Sequence, residues 1–272
     1  MELDRKQTEE LQKVELEIFK EFLKVCEKLD LKYYLLGGTL LGAVRHNGFI
    51  PWDDDIDIGM PRADYEKFIC EAQKHLPAYM FVQTYKTDPE YHQVFAKIRN
   101  SKTTYLESSI KNSNMNHGIF IDVFPLDIHS DKKNIFLKVK KVLADVRIGC
   151  VFDGAVSTKL KIVQMLAKVI FPDIEKAKQT KEKIHKYCKN GNKIANYSGM
   201  WGEKEIVPAE WYGDGANLTF EGIAVKGPSE YDKWLTQVYG DYMKMPPVEK
   251  RITHHKTEVI DTRKSYLEYL KN

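Results

Sequence analysis

Hydrophobic residues near the start of the chain recur at helical spacing, at Leu11, Val14, Ile18, Phe22, Val25 and Leu29. With polar residues between them, they predict one long amphipathic helix laid over a sheet. The apolar run Tyr33-Tyr34-Leu35-Leu36 predicts a strand, and Gly37-Gly38 ends it. Thr39 suits the N-cap of a short helix predicted over 40–45. A second strand follows at Asp55-Ile56-Asp57-Ile58, where acids and isoleucines alternate. After Pro61, residues 62–75 predict a helix with Tyr65, Phe68 and Ile69 inward. The run 118–127 is a strongly apolar strand interrupted by the charge of Asp122, with Asp127 at its end.

Beyond residue 130 the pattern changes. Apolar residues at helical spacing with lysines between them predict helices over 135–148 and 160–171, and a more polar helix over 174–189. From 131 to 189 there are fifteen Lys/Arg against six Asp/Glu, a surplus of nine positive charges in a chain whose net charge is +3. The remainder is therefore net acidic. After Gly199 the elements shorten: 201–211 is turn-rich, 218–225 reads as a strand pair or edge, and 230–239 as a helix. The expected class is α/β (α+β), a mixed sheet flanked by helices. The expected division is a catalytic core over 1–130, a basic helical segment over 131–198, and a part completing the catalytic unit over 199–272.

The candidate chemistry sits where the two early strands meet. Strand alternation puts Asp55 and Asp57 on one face while Ile56 and Ile58 enter a core. Two neighbouring carboxylates are unfavourable unless a cation lies between them, and hard oxygen ligands with few protein contacts suit Mg²⁺, with Mn²⁺ as the alternative. A calcium loop of the EF-hand type does not fit, because the sixth position from Asp53 is Ile58, with Gly59 one place late. The strand, glycine turn and helix over 33–45 aim backbone N–H groups at an anion, so Gly37, Gly38 and Thr39 are candidates for holding phosphate. Arg45 and His46, near the far end of that helix, either touch a phosphate or complement the helix C-terminus.

Group transfer to a hydroxyl needs a further ligand or base near the attacking oxygen, and Asp122 is the candidate, since an ionised carboxylate in so apolar a strand needs a partner. Asp127, after Pro125, reads as a turn or cap residue. Lys97 and Arg99 alternate with Ala96 and Ile98, so one strand face carries both cations, either toward the acids or toward solvent.

The segments 36–46, 48–59 and 121–127 together resemble the LicD family of phosphotransferases, which is related to the fukutin-type proteins. The likeness extends to Tyr239-Gly240-Asp241-Tyr242, Pro246-Pro247, Arg251 and His254-His255. It implies a nucleotidyltransferase-type fold, a CDP-alcohol donor with CDP-choline the best-known case, and release of CMP. The implied acceptor is a hydroxyl of a surface glycopolymer or its lipid-linked precursor: teichoic acid, lipopolysaccharide or capsule. Asp55, Asp57 and Asp122 would then hold Mg²⁺, Asp122 as ligand or base. Gly37, Gly38 and Thr39 would hold donor phosphate, and Arg251, His254 and His255 would touch substrate. A quaternary ammonium headgroup suits aromatic faces, for which Trp201, Trp211, Tyr212 and Tyr239 are available. The alternatives that keep the same acids are an NTP-using nucleotidyltransferase, a phosphohydrolase, and a non-catalytic nucleotide- or glycan-binding protein.

The basic helices read either as a subdomain with a solvated lysine face or as a contact for the membrane surface or an anionic lipid-linked acceptor. No nucleic-acid motif is present. No run of about 18 apolar residues occurs and the charged N-terminus lacks a signal-peptide core, so a location in the cytoplasm, free or peripheral at the cytoplasmic face of the membrane, is expected. Cys26, Cys70, Cys150 and Cys188 contain no Cys-x-x-Cys pair and read as reduced thiols, mostly packed as small apolar groups, with no structural zinc.

Overall fold

A computed structural model describes residues 4–132, 134–150, 157–253 and 255–270. Helix α1 (Arg5–Leu29) opens on a capping box in which Asp4 Oδ1 accepts from Gln7 N at 2.8 Å and Gln7 Oε1 accepts from Asp4 N at 3.0 Å. Its apolar stripe is buried as its spacing predicts, with Leu11, Ile18 and Phe22 fully enclosed. Strand β1 (Tyr34–Leu35) runs into α2 (Gly37–His46), then β2 (Asp57–Pro61) and α3 (Arg62–Glu71). Strands β3 (Met80–Gln83), β4 (Ala96–Asn100), β5 (Thr104–Glu107) and β6 (Ile119–His129) complete the first half.

Helices α4 (Ile135–Gly149), α5 (Thr158–Ile170) and α6 (Ile174–His185) follow, the last ending four residues short of the predicted stretch. The chain closes with β7 (Lys193–Ala195), β8 (Ile206–Pro208), the hairpin β9 (Ala216–Phe220) and β10 (Ile223–Gly227), helix α7 (Tyr231–Tyr239) and β11 (Thr257–Asp261). Among the described residues no helix is long and apolar enough to cross a membrane.

The fold is an α+β arrangement around a seven-stranded mixed sheet in the order β1-β2-β6-β4-β3, with β7 on the far end of β6 and β8 on β7. Strands β2 and β6 are parallel and the other pairs antiparallel. Helix α1 packs across β6 and β4. A separate ribbon pairs β11 with β5, which packs against β6, and so brings the C-terminal segment to the centre of the sheet.

Three expectations are corrected here. Asp127 is neither turn nor cap: it lies inside β6, 2 % exposed, in a two-point bond with Arg62 at 2.8 and 2.6 Å. Strand β6 runs through Pro125 because that residue lies between the last β4 pairing, at Val123, and the first β7 pairing, at Asp127. The strand predicted from Asp55 begins its ladder at Asp57, although Asp122 N already donates to Ile56 O at 2.8 Å. Of the cysteines, all free, Cys26 is buried, Cys150 and Cys188 are half-buried and Cys70 is exposed.

The basic helices have a small core of their own, Ala144, Ile148, Phe171 and Ala177. They are tied to α3 and to the loop after β3 by polar contacts: Lys186 Nζ lies 2.9 Å from Glu182 on α6 and 2.6 Å from Glu66 on α3, and Glu182 also accepts from Tyr85 Oη.

Candidate active site

Strand register builds the centre of the site. Asp57 on β2 stands directly across from Asp122 on β6, and Lys97 on β4 stands across from Asp122 on its other side. Because side chains alternate, the three form one row on one face, while Ile58, Val123, Ala96 and Ile98 fill the opposite face with almost no exposure. Lys97 Nζ is 2.6 Å from Asp122 Oδ1, and both side chains are less than one-tenth exposed. The same ammonium sits 3.3 Å from the centre of the Phe120 ring, whose face attracts the positive charge.

The loop before β2 adds acids above that row. Asp53, Asp54 and Asp55 each present a carboxylate oxygen within 4.8 Å of the other two. Helix α2 accommodates them by having no side chains where it approaches. A Cβ on Gly37 would stand 2.6 Å from Asp57 Oδ2, and one on Gly38 would stand 2.4 Å from Asp53 Oδ2, both inside contact distance. Gly37 also takes φ +52°, which an L side chain resists. The predicted N-cap role of Thr39 is corrected: the helix begins at Gly37 with Leu36 as N-cap, and Thr39 Oγ1 instead accepts from Asp57 N at 2.8 Å. That bond fixes the backbone at the first residue of β2.

Among the described residues the carboxylates crowd one another, with Lys97 and His255 the positive charges that act on Asp55. Burial and the neighbouring Asp55 carboxylate raise Asp53 and Asp57 well above the usual carboxylate range. Burial also raises Asp55, to about 6, with Asp54 adding and His255 opposing. Glu15, 1 % exposed on α1, is raised well above its ordinary value by burial and by Asp55, Asp54 and Asp53. Its Oε2 has no hydrogen-bond partner among the described residues. Tyr105 Oη donates to Asp54 Oδ2 at 2.9 Å, and His255 Nδ1 lies 3.4 Å from the same oxygen. Burial alone would lower the His255 imidazole, but Asp54 and Asp55 outweigh it and raise it to about 9. A convergent, all-oxygen, mutually repelling donor set fits a hard divalent cation such as Mg²⁺ or Mn²⁺, and a sulfur- or nitrogen-seeking metal poorly.

Two arginines distant in sequence line a neighbouring wall. Arg45 Nη1 donates to Tyr242 O at 2.7 Å, and Arg251 Nε donates to Pro246 O at 2.9 Å with its guanidinium 5.4 Å from the centre of the Trp52 ring. Burial lowers the Arg45 pKa and the Arg251 charge lowers it further, while Tyr239 opposes. Tyr239 is itself raised by burial and by Asp57 and Asp53, which ties this wall to the acids.

The remaining candidates separate. Arg99 shares the face of Lys97 but is fully buried, donating to Gln83 Oε1 at 2.6 Å and Gly118 O at 2.8 Å. Its expected substrate contact has no exposed surface to act through. His255 is engaged by Asp54, and His254 lies outside the described residues. Of the four aromatics, Tyr212 is buried against Tyr34, ring centres 5.1 Å apart, and Trp211 packs on the core. Trp201 meets Tyr239 edge to face at 5.0 Å and keeps 37 % of its surface exposed.

Sequence reasoning missed Glu15, Asp53, Asp54 and Tyr105. For Glu15 a signal exists: it lies four residues after Leu11 and three before Ile18, on the buried stripe of α1, where a lone carboxylate is costly. Tyr105 belongs to a four-residue strand without a distinctive pattern.

Residues 30–147 match the nucleotidyltransferase domain of the LicD/FKTN/FKRP family. The chain is 33% identical over 263 residues to the lipopolysaccharide cholinephosphotransferase LicD of Haemophilus influenzae, a match covering 90% of this chain and 95% of that protein. A stretch of 36 residues is 53% identical to human ribitol 5-phosphate transferase FKRP, covering 13% of this chain and 7% of the human protein. Another of 48 residues is 48% identical to the uncharacterized protein RP689 of Rickettsia prowazekii, 18% of each chain.

Proposed function

The chain belongs to the LicD family of phosphotransferases, and from that premise we propose that it moves phosphocholine, or a similar phospho-alcohol, from a CDP-alcohol to a glycan hydroxyl with release of CMP. The acceptor in this reading is a lipopolysaccharide, teichoic acid or capsule chain or its lipid-linked precursor, and the reaction takes place at the cytoplasmic side of the membrane. The observation that carries the reading is the row Asp57–Asp122–Lys97 beneath Asp53, Asp54 and Asp55.

Transfer of this kind is mostly positioning and charge neutralisation. Asp55, Asp57 and Asp122 would hold Mg²⁺, or Mn²⁺ in its place, which when bound offsets negative charge on the nonbridging and leaving oxygens. Lys97, fixed between Asp122 and the Phe120 ring, neutralises one of the acids and holds it in line with Asp57. Gly37 and Gly38 let the backbone at the start of α2 approach the acids closely enough for its N–H groups to serve a phosphate as well. Arg45 and Arg251 would bind the donor's phosphates, a role supported by their lying close enough for the Arg251 charge to lower the Arg45 pKa. The acceptor hydroxyl loses its proton as its oxygen bonds to the phosphorus bearing the alcohol, and the bond from that phosphorus to CMP breaks. Asp122 takes that proton or completes the ligand set. Trp201 with Tyr239 offers the aromatic surface for a quaternary ammonium.

Isothermal titration with CDP-choline, CDP-ribitol, CDP-glycerol and CTP, each with and without Mg²⁺, tests the donor. Metal-dependent binding of one CDP-alcohol, lost in Asp55→Asn/Asp57→Asn, is the expected result. Preference for CTP, or binding indifferent to metal and to those acids, contradicts it.

A further inference from the structure

Helices α4 and α5 wear their apolar residues on the outside. Ten of the nineteen exposed large hydrophobic residues among those described lie on this pair. On α5, Ile162, Met165, Val169 and Ile170 fall on one stripe, with Met165 68 % and Val169 79 % exposed. The residue turned inward is the small Ala167, at 0 %. On α4, Ile135, Val139 and Val142 follow the same pattern, half or more exposed, while Ala144 and Ile148 on the other side form the inner core. A helix that only covers a core has the reverse arrangement.

The polar positions beside the stripes are basic. Lys138 flanks the α4 stripe, and Lys161 and Lys168 flank that of α5; all three are exposed. The internal ion pairs of this region, Lys141 and Lys181 with Asp145, lie elsewhere on the helices. A second copy seated on these stripes would bring lysine rims together, whereas an anionic lipid surface takes up apolar side chains and lysines at once. We infer that α4 and α5 dock the protein on an anionic membrane surface, the hydrophobic stripes entering the interface and Lys138, Lys161 and Lys168 meeting lipid headgroups. The inference goes beyond the transfer reaction and holds whichever alcohol is moved.

The test is co-sedimentation of the full chain with vesicles of phosphatidylcholine alone and of phosphatidylcholine mixed with phosphatidylglycerol, with light scattering in parallel. The expected result is a monomer that binds the mixed vesicles about tenfold or more better than the neutral ones. Met165→Glu/Val169→Glu should lose that binding and Lys161→Glu/Lys168→Glu should lose the lipid preference, both melting as the parent does. Absence of vesicle binding, binding unchanged in both variants, or a dimer that Met165→Glu/Val169→Glu returns to monomer would overturn it.

Discussion

Gly38 faces the Asp53 carboxylate so closely that a Cβ built on it would stand 2.4 Å from Oδ2. The absence of a side chain on α2 is thus what lets a helix and an acid occupy the same corner of the site. In an ordinary helix, glycine to alanine stabilises by about 1 kcal/mol. Here Gly38→Ala should displace Asp53 and cost about 100-fold in transfer, the scale of a misplacement near 1 Å. Gly149→Ala, where a Cβ meets nothing within 4 Å, should leave transfer unchanged. Steady-state rates for the two variants check this.

Asp57 and Asp122 face each other across β2 and β6, yet removing their charges should have opposite effects on stability. Asp57→Asn relieves repulsion from Asp55 and Asp122, so the metal-free protein should melt about 3 °C higher, the shift that roughly 1 kcal/mol produces in a chain of this size. Asp122→Asn strands Lys97, whose side chain is 7% exposed, and should destabilise by about 3 kcal/mol. Both should reduce transfer by at least about 1,000-fold, the scale of losing a major electrostatic contribution to the reaction. Thermal melts with turnover on the same samples separate the two effects.

The acids also set a pH dependence. Asp55 is raised to about 6, so the folded state holds its proton to higher pH than the unfolded chain does. Its contribution is therefore present below about pH 4 and is lost as pH rises through 6. A divalent cation binds the ionised form and reverses the trend. Adding Mg²⁺ should raise the melting temperature clearly at pH 8 and little at pH 5, by differential scanning fluorimetry.

His255 is raised to about 9, so its stabilisation is complete below about pH 6.5 and disappears as pH rises through 9. The stability gap between the parent and His255→Gln should be widest near pH 6 and should close toward pH 10. Urea titrations at those two values measure it.

Arg62 joins α3 to Asp127, with side chains 18% and 3% exposed. Arg62→Met leaves a buried carboxylate unpaired and should cost about 3 kcal/mol, read as a lower urea midpoint at unchanged slope.

Much of this was legible in the residues. The α1 stripe, the acid–isoleucine alternation at Asp55 to Ile58 and the three basic helices each repeat a period long enough to fix an element and its face. Depth and partners were less accessible. Alternation puts Lys97 and Arg99 on the same face, but only the packing of Gln83, Gly118 and Phe120 decides that Arg99 is sealed in while Lys97 reaches an acid. Thr39 reads as a cap if the two glycines are a turn, yet they belong to the helix, since Gly37 can adopt a left-handed backbone at its start. The pairing of β11 with β5 brings Ile260 to Tyr105, and no local pattern announces a ribbon formed across that distance in sequence. His255, on the segment leading into β11, reaches Asp54 by the same means.

The most direct test of the central claim is ³¹P NMR of the enzyme with CDP-choline, Mg²⁺ and a glycan acceptor, run beside Asp57→Asn. The account predicts CMP and a new phosphodiester on the glycan in equal amounts, with neither formed by the variant. Free phosphocholine without acceptor gain, or transfer undiminished in Asp57→Asn, would contradict it.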